Sequence, residues 1–288
     1  MDKFIIEGPA KLNGDVTISG SKNAALPIMT ACLAFPGIYK LNNVPDLRDT
    51  RTMIKLLEII GSKIKKDNNT IIIDTTKCDN PEAPYELVKT MRASFYVLGP
   101  LLSRFKYAKV SLPGGCAWGP RPIDYHLTAF EEMGAQVNLR SGYIVTKGNV
   151  KSATVAFPKS SVGATGNVIM ACSNLEETVT IENAAMEPEI VDLCNFLSCI
   201  GVSFEGIGTS TLKVTGVNLK ETVNIEYSII PDRIEAGTFM IASAATKGKI
   251  TLSNVEPSHL TSVIAALEES GSIFYVDKNK ITINSNEI

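Results

Sequence analysis

An internal repeat limits the folds open to this chain of 288 residues. Its period is roughly 70 residues, longer than that of solenoid proteins, and therefore indicates repeated subdomains. Each of four copies ends in a helical segment, a glycine and a hairpin-like pair of alternating apolar segments. The four endings are LLEIIGSKIKKDNNTIIID, AFEEMGAQVNLRSGYIVTK, FLSCIGVSFEGIGTSTLKVTG and ALEESGSIFYVDKNKITIN. The glycines Gly61, Gly134, Gly201 and Gly271 are expected just past the helix ends, where a positive φ suits glycine.

Each copy also contains an earlier helical segment that is apolar on nearly every side, which predicts a buried helix. The four segments are NAALPIMTACLA, RASFYVLGPLLS, ATGNVIMACS and EAGTFMIASAA. Asn23, Arg92, Ala164 and Glu235 fall at equivalent positions in the first turns. Because unpaired N–H groups and the positive end of the helix dipole lie there, these starts are predicted sites for anions and polar ligands. The pattern predicts an α/β fold of βαβαββ units grouped into lobes, with the helix ends facing a shared cleft.

Composition excludes several classes of function. The 28 Lys and Arg nearly balance the 30 Asp and Glu, so no long-range field favours nucleic acid or an anionic membrane. The six cysteines form no CxxC pair, which indicates free thiols in a reducing compartment and no disulfide framework or metal site. His126 and His259 show no spacing for a metal or a triad and receive no role. Without a signal-peptide pattern or an apolar run of roughly 18 residues, a cytoplasmic protein is expected.

Five stretches of the sequence carry a resemblance to a known family. They are GDVTISGSKNAALPIM, TMRASFYVLGPLL, PGGCAWGPRPIDYHL, SSVGATGNVIM and PDRIEAGTF. Together they resemble the enolpyruvyl transferases that act on UDP-N-acetylglucosamine, whose members fold as two lobes, each an inside-out α/β barrel of three units. The resemblance implies a first lobe at residues 22–229, with the nucleotide-sugar site and the cysteine loop, and an incomplete second lobe at residues 1–21 and 230–288.

The sequence departs from the family pattern at its end. Family members have six units, whereas about four are present here, and the family's later Asp, Pro-rich segment and late arginines have no counterpart in the 288 residues. A fragment of a longer protein is therefore expected, because a half-built second lobe would expose apolar helix faces to water.

Cys116 is the catalytic residue that the resemblance implies. The implied reaction transfers the enolpyruvyl group of phosphoenolpyruvate to the 3′-hydroxyl of UDP-N-acetylglucosamine, with release of phosphate, as the first committed step of peptidoglycan synthesis. Cys116 lies in PGGCAWGPRP, a predicted loop. A thiol can act there as an acid or, beside cations, as a nucleophile. By resemblance Cys116 protonates C3 of phosphoenolpyruvate and can form a covalent adduct with it. Cys116 alone is expected to react with fosfomycin, because burial is expected to shield the cysteines of the helical segments. These are Cys32, Cys172, Cys194 and Cys199.

Two groups of residues are implied to bind the substrates. Lys22 and Asn23 open the first buried helix after Ser21, a plausible N-cap, so that an ammonium and free N–H groups converge on one anion. By resemblance Lys22, Asn23 and Arg121 bind phosphoenolpyruvate. A further set is implied to bind UDP-N-acetylglucosamine: Arg92, Arg121, Pro122, Ile123, Asp124, Tyr125, Lys159, Ser161, Val162 and Gly163. The run PKSSVGATGN also indicates a phosphate-cradling loop before a helix, or a Ser-rich cap with no ligand.

Other interpretations of the sequence stay open. The chain is also compatible with an enzyme similar to enolpyruvylshikimate phosphate synthase, or with a non-catalytic sugar-nucleotide-binding fragment. The acidic residues Asp232 and Glu235 suit a helix start as a cap and ion pairs, and their roles are left open. No cofactor, metal or obligatory protein partner is expected, and the ligands are small molecules.

Overall fold

The computed structural model describes residues 3–112 and 123–285. The α-helices, in chain order, are α1 (Lys22–Ala31), α2 (Arg48–Ile60), α3 (Tyr85–Val88), α4 (Leu98–Phe105), α5 (Asp124–Glu132), α6 (Val162–Cys172), α7 (Pro188–Ser198), α8 (Arg233–Ala245) and α9 (Thr261–Glu269). Two 3-10 helices span Arg92–Val97 and Pro257–His259. The strands are β1 (Asn13–Thr17), β2 (Gly37–Asn42), β3 (Lys63–Asp67), β4 (Thr70–Asp74), β5 (Glu82–Ala83), β6 (Tyr107–Ser111), β7 (Gln136–Arg140), β8 (Tyr143–Lys147), β9 (Thr154–Ala156), β10 (Thr178–Glu182), β11 (Ser203–Glu205), β12 (Thr211–Thr215), β13 (Val223–Ser228), β14 (Lys249–Ser253), β15 (Ile273–Asp277) and β16 (Lys280–Asn284).

Four sheets of four strands share one topology. Their orders are β13-β2-β4-β3, β5-β6-β8-β7, β9-β10-β12-β11 and β1-β14-β16-β15. In each, the last two strands form an antiparallel hairpin, and the first strand pairs in parallel with its neighbour. The four glycines predicted past the helix ends have positive φ, between 88° and 112°. The α/β class and its repeated units are thereby confirmed.

The chain divides into two compact units, Lys22–Ile229 and Met1–Ser21 with Ile230–Ile288. In the first unit, β13 lies beside β2, with Val223 opposite Gly37. This pairing joins the end of the segment to its beginning and closes the unit on itself. In the second unit, β1 pairs with β14, with Asn13 opposite Lys249, so the first strand of the chain belongs with the last two helices.

The interior of the larger unit is made of helices. In α1 every residue from Ala24 to Ala31 is buried, and in α6 every residue from Ala164 to Cys172 is buried. The second inner segment, RASFYVLGPLLS, was expected to form one helix, but it begins as the 3-10 helix Arg92–Val97 and becomes α-helical at Leu98. Pro100 explains the break, because it has no N–H to bond to the carbonyl four residues earlier and its ring clashes with that carbonyl.

The expectation that the fourth segment is buried all round is wrong. Only Ala236, Gly237, Met240 and Ser243 of α8 are buried, whereas the side chains of Ile234 and Ile241 are 51% and 55% exposed. The reason is tertiary, since α8 packs on β14, β16 and α9 through the single stripe that its buried residues form.

Candidate functional site

The start of α6 offers backbone donors. The hydroxyl of Ser161 caps the helix by accepting a hydrogen bond from the Ala164 N–H at 3.3 Å. The first bond of the helix runs from the Thr165 N–H to the Ser161 carbonyl at 2.9 Å. The N–H groups of Val162 and Gly163 precede that bond and are not used by the helix itself. With Lys159 exposed just before the cap, this turn is suited to hold an anion.

The start of α5 lies beside the segment that leads into α6. Ile123 stands at its N-cap position, Asp124 is exposed in the first turn, and Tyr125 is half-buried. The ring of Tyr125 stacks on the buried Phe157, with centroids 6.2 Å apart and an angle of 28°. Because Phe157 comes shortly before Lys159, this contact brings Ile123–Tyr125 and Lys159–Gly163 to one place in the unit.

Arg92 belongs to the same neighbourhood. It opens the 3-10 helix and is half-buried. The Phe95 ring of that helix packs edge-on against the ring of His126 in α5, with centroids 5.0 Å apart. Burial, and secondly the charge of Arg92, lower the pKa of His126 to about 3. His126 is therefore neutral at physiological pH, and Arg92 and Gly163 of the predicted nucleotide-sugar set lie near it.

The starts of α1 and α8 differ from that of α6. Lys22 forms an ion pair with Asp49 of α2 at 3.1 Å, with both side chains more than a third exposed, and Asn23 is exposed. Exposed pairs of this kind are weak, so an anion can compete for the Lys22 ammonium. At α8, Asp232 accepts hydrogen bonds from the N–H groups of Ile234 and Glu235, at 2.8 and 3.0 Å.

The carboxylate of Glu235 is also used within its own unit. It accepts hydrogen bonds from the N–H and the hydroxyl of Ser19. Together with the Asp232 cap, it places two acids at the start of α8, against one cation, Arg233. The general expectation of an anion site at every inner helix start therefore does not extend to α8, where carboxylates repel anions.

The described cysteines are mostly shielded. Cys32, Cys78, Cys172 and Cys194 are buried free thiols. Burial raises the pKa of all four, to about 12 for Cys172 and Cys194. The expectation that Cys199 is shielded is wrong: α7 ends at Ser198, and Cys199 at its C-cap is exposed. Cys116, Arg121 and Pro122 lie outside the described residues.

Comparison with known proteins identifies the family. The profile described as EPSP synthase (3-phosphoshikimate 1-carboxyvinyltransferase) matches residues 6–286. The chain is 48% identical to the UDP-N-acetylglucosamine 1-carboxyvinyltransferase of Chlorobaculum parvum, covering 100% of this chain and 68% of that protein. It is 50% identical to the enzyme of the same name from Geotalea uraniireducens, over 94% of this chain and 65% of that protein. This chain belongs to the carboxyvinyltransferase family. It spans about two thirds of the length of these curated relatives.

Solved structures agree with this carboxyvinyltransferase fold. The enolpyruvyl transferase NikO from Streptomyces tendae superposes with a TM-score of 0.84 at 20% identity, over 97% of this chain and 67% of that one. An EPSP synthase from Acinetobacter baumannii gives a TM-score of 0.72 at 17% identity, over 98% of this chain and 66% of that one. At these identities the likeness concerns the fold alone.

Sequence reasoning assigned no role to His126 and Asn167, whose side chains lie 3.0 Å apart between α5 and α6 of this carboxyvinyltransferase-family chain. The signal for Asn167 was visible, since an amide interrupts the apolar helix ATGNVIMACS. A buried amide requires hydrogen-bond partners, among which a histidine ring is one of several that fit. Which residue lies opposite could not be read from the sequence.

The described residues offer neither a metal site nor a membrane-spanning helix. No group of three or more His, Cys, Asp or Glu in residues 3–112 and 123–285 is placed to hold a metal ion. Over the same ranges, every helix is too short or too polar to cross a membrane.

Proposed function

We propose that the protein transfers the enolpyruvyl group of phosphoenolpyruvate to the 3′-hydroxyl of UDP-N-acetylglucosamine, releasing phosphate, as the first committed step of peptidoglycan synthesis. The observation that carries the proposal is identity of 46–50% to proteins named UDP-N-acetylglucosamine 1-carboxyvinyltransferase, over 94–100% of the chain. The N–H groups at the start of α6 that the helix itself does not use support it, because a nucleotide diphosphate needs such donors.

The proposed roles follow from chemistry. UDP-N-acetylglucosamine is bound by Arg92, Arg121, Pro122, Ile123–Tyr125, Lys159 and Ser161–Gly163. The N–H groups of Val162 and Gly163 meet phosphate oxygens, while Lys159 and Arg92 balance the charge. Lys22, Asn23 and Arg121 bind phosphoenolpyruvate, and Lys22 exchanges Asp49 for the anion.

Cys116 is the proposed catalytic acid. A general base takes the proton of the sugar 3′-hydroxyl as its oxygen bonds to C2 of phosphoenolpyruvate, and the Cys116 thiol protonates C3. Phosphate then leaves from C2 as C3 returns a proton to the thiolate, which restores the double bond. The same thiol attacks phosphate-like electrophiles such as fosfomycin. We place the reaction in the cytoplasm, where free thiols such as those of Cys32 and Cys172 stay reduced.

One other acceptor has a specific observation in its favour. The matching profile carries the name of EPSP synthase, whose printed description is 3-phosphoshikimate 1-carboxyvinyltransferase. The structure of such an enzyme also superposes on this chain, at 17% identity. Against it stands the much higher identity, 48% and 50%, to relatives named for UDP-N-acetylglucosamine.

Phosphate release from phosphoenolpyruvate, measured with each acceptor in parallel, tests the proposal. We expect release with UDP-N-acetylglucosamine and none with shikimate 3-phosphate. Release with shikimate 3-phosphate alone would overturn the proposal in favour of the other acceptor. Binding of UDP-N-acetylglucosamine without release would identify the chain as a sugar-nucleotide-binding piece.

A further inference from the structure

A single buried amide in α6 connects the elements that carry the proposed nucleotide-sugar site. The side chain of Asn167 is 0% exposed. Its oxygen Oδ1 accepts a hydrogen bond from the Gly99 N–H at 2.8 Å. Its nitrogen Nδ2 lies 3.2 Å from the Phe95 carbonyl and 3.0 Å from Nδ1 of His126. One side chain thereby contacts the 3-10 helix, α4 and α5.

These partners fix the protonation of His126. A backbone N–H can only donate and a backbone carbonyl can only accept, so Gly99 and Phe95 determine which end of the Asn167 amide is oxygen. Nδ2 therefore points at His126 and donates to Nδ1. The hydrogen of the neutral ring must then be on Nε2, the opposite nitrogen.

The Nε2 edge of the ring faces the first turn of α6. A Cβ placed on Gly163 would lie 3.3 Å from both Cε1 and Nε2 of His126. The first-turn N–H groups of α6 and the Nε2–H group of His126 are therefore neighbours. A neutral donor at this place adds hydrogen-bonding capacity without adding charge.

We propose that Asn167 is the positioning residue of the sugar-nucleotide site, holding His126 as the Nε2–H tautomer against the first turn of α6. This inference rests on the proposed function. The amide also sets the starts of the 3-10 helix, α5 and α6 relative to one another, so its effect on the ligand is indirect. If His126 were protonated, its Nδ1–H would face the Asn167 NH2, and two donors would oppose each other.

The groups around the ring favour its neutral form. On the 3-10 helix, the charge of Arg92 acts with burial to lower the pKa of His126, and burial raises the pKa of Tyr96, which stays neutral. On α4 the charged residue is Arg104, in its last turn. On α5 itself Asp124 is exposed, and α6 carries no Asp, Glu, Lys, Arg or His.

The tautomer can be observed directly, because the chain has two histidines. Long-range ¹H–¹⁵N NMR should show His126 as the Nε2–H tautomer, unchanged between about pH 5 and 8, with His259 as the internal reference. An Nδ1–H tautomer, or titration of His126 in that range, would overturn the inference. This measurement requires no variant and stands even if a substitution prevents folding.

Asn167→Asp then tests the positioning role. Aspartate can accept from Gly99 but cannot donate to His126, so the ring should take a proton on Nδ1 and titrate within the same pH range. We expect the Kd for UDP-N-acetylglucosamine to weaken by about tenfold or more, with a new dependence on pH.

Asn174→Asp is the matched control. The Nδ2 group of Asn174, just past the other end of α6, donates to the Ala34 carbonyl at 2.9 Å and to Ser103 Oγ at 3.0 Å. This variant also loses amide donors but should leave the His126 spectrum and the Kd unchanged. Equal Kd values for Asn167→Asp and Asn174→Asp would contradict the positioning role. Failure of the unsubstituted chain to bind the ligand would instead contradict the proposed function.

Discussion

Burial decides which thiols of this chain can react. Cys172 and Cys194 lie within α6 and α7, and Cys32 lies just past the end of α1. All three are buried, and burial raises their pKa, which disfavours the nucleophilic thiolate. Cys78 is buried as well, with its sulfur 3.2 Å from the hydroxyl of Ser62. Cys199 is the exposed exception among the described residues. Selectivity between Cys199 and Cys116 therefore has to come from recognition of the reagent, not from access alone.

Labelling with fosfomycin should modify Cys116 and leave Cys199 unmodified. Cations proposed to bind phosphoenolpyruvate can hold the phosphonate group while the thiol of Cys116 attacks, whereas exposure alone does not orient the reagent at Cys199. Peptide mass mapping gives the result, with iodoacetamide as a non-selective control that should modify Cys199. Cys116→Ala should abolish the fosfomycin adduct and Cys199→Ala should leave it intact. An adduct on Cys199 would mean that the reactive residue is wrongly assigned.

The inner helices follow one pattern, but their starts have different chemistry. At α6 a serine cap uses one N–H group, and no acid occupies the first turn. At α8 the cap is Asp232, and Glu235 follows in the first turn. The positive end of the α6 dipole therefore has no first-turn acid beside it and can attract an anionic ligand, whereas the positive end of the α8 dipole is balanced by the carboxylates of Asp232 and Glu235.

Ser161→Ala should lower the free energy of unfolding by about 1 kcal/mol, the usual contribution of a helix N-cap. The cap hydroxyl bonds the Ala164 N–H at 3.3 Å, and alanine leaves that donor without its partner. Ser160→Ala is the matched control, since Ser160 is exposed and lies outside the helix. Denaturant unfolding of both variants measures the difference. An equal loss in the two variants would show that the cap contributes nothing specific.

The helices and strands show most clearly which structural features can be predicted from the sequence and which cannot. Hairpins and helix ends were predictable, because Gly61 and its three equivalents mark local turns whose geometry only nearby residues determine. Membership of the family and the α/β class followed from motifs spread along the whole chain. The exposed side of α8, in contrast, depends on tertiary neighbours. For the same reason Asn167 could be noticed as unusual but its partner, 41 residues away, could not be named.

In the molecule as a whole, one sheet topology is repeated, but the strand that completes each sheet comes from different parts of the chain. All four sheets add a parallel strand to an antiparallel hairpin. Two of those added strands come from distant parts of the chain, β13 beside β2 and β1 beside β14, and they define the two compact units. The described residues proposed to bind the sugar nucleotide all belong to the unit Lys22–Ile229. That unit is therefore expected to carry the recognition of UDP-N-acetylglucosamine.

Calorimetric titration of the folded chain with UDP-N-acetylglucosamine tests this expectation most directly. The account predicts saturable binding at one site per chain, competition by UDP, and no heat of binding with shikimate 3-phosphate. Binding of shikimate 3-phosphate in place of the sugar nucleotide, or no binding of UDP-N-acetylglucosamine by a chain shown to be folded, would contradict it.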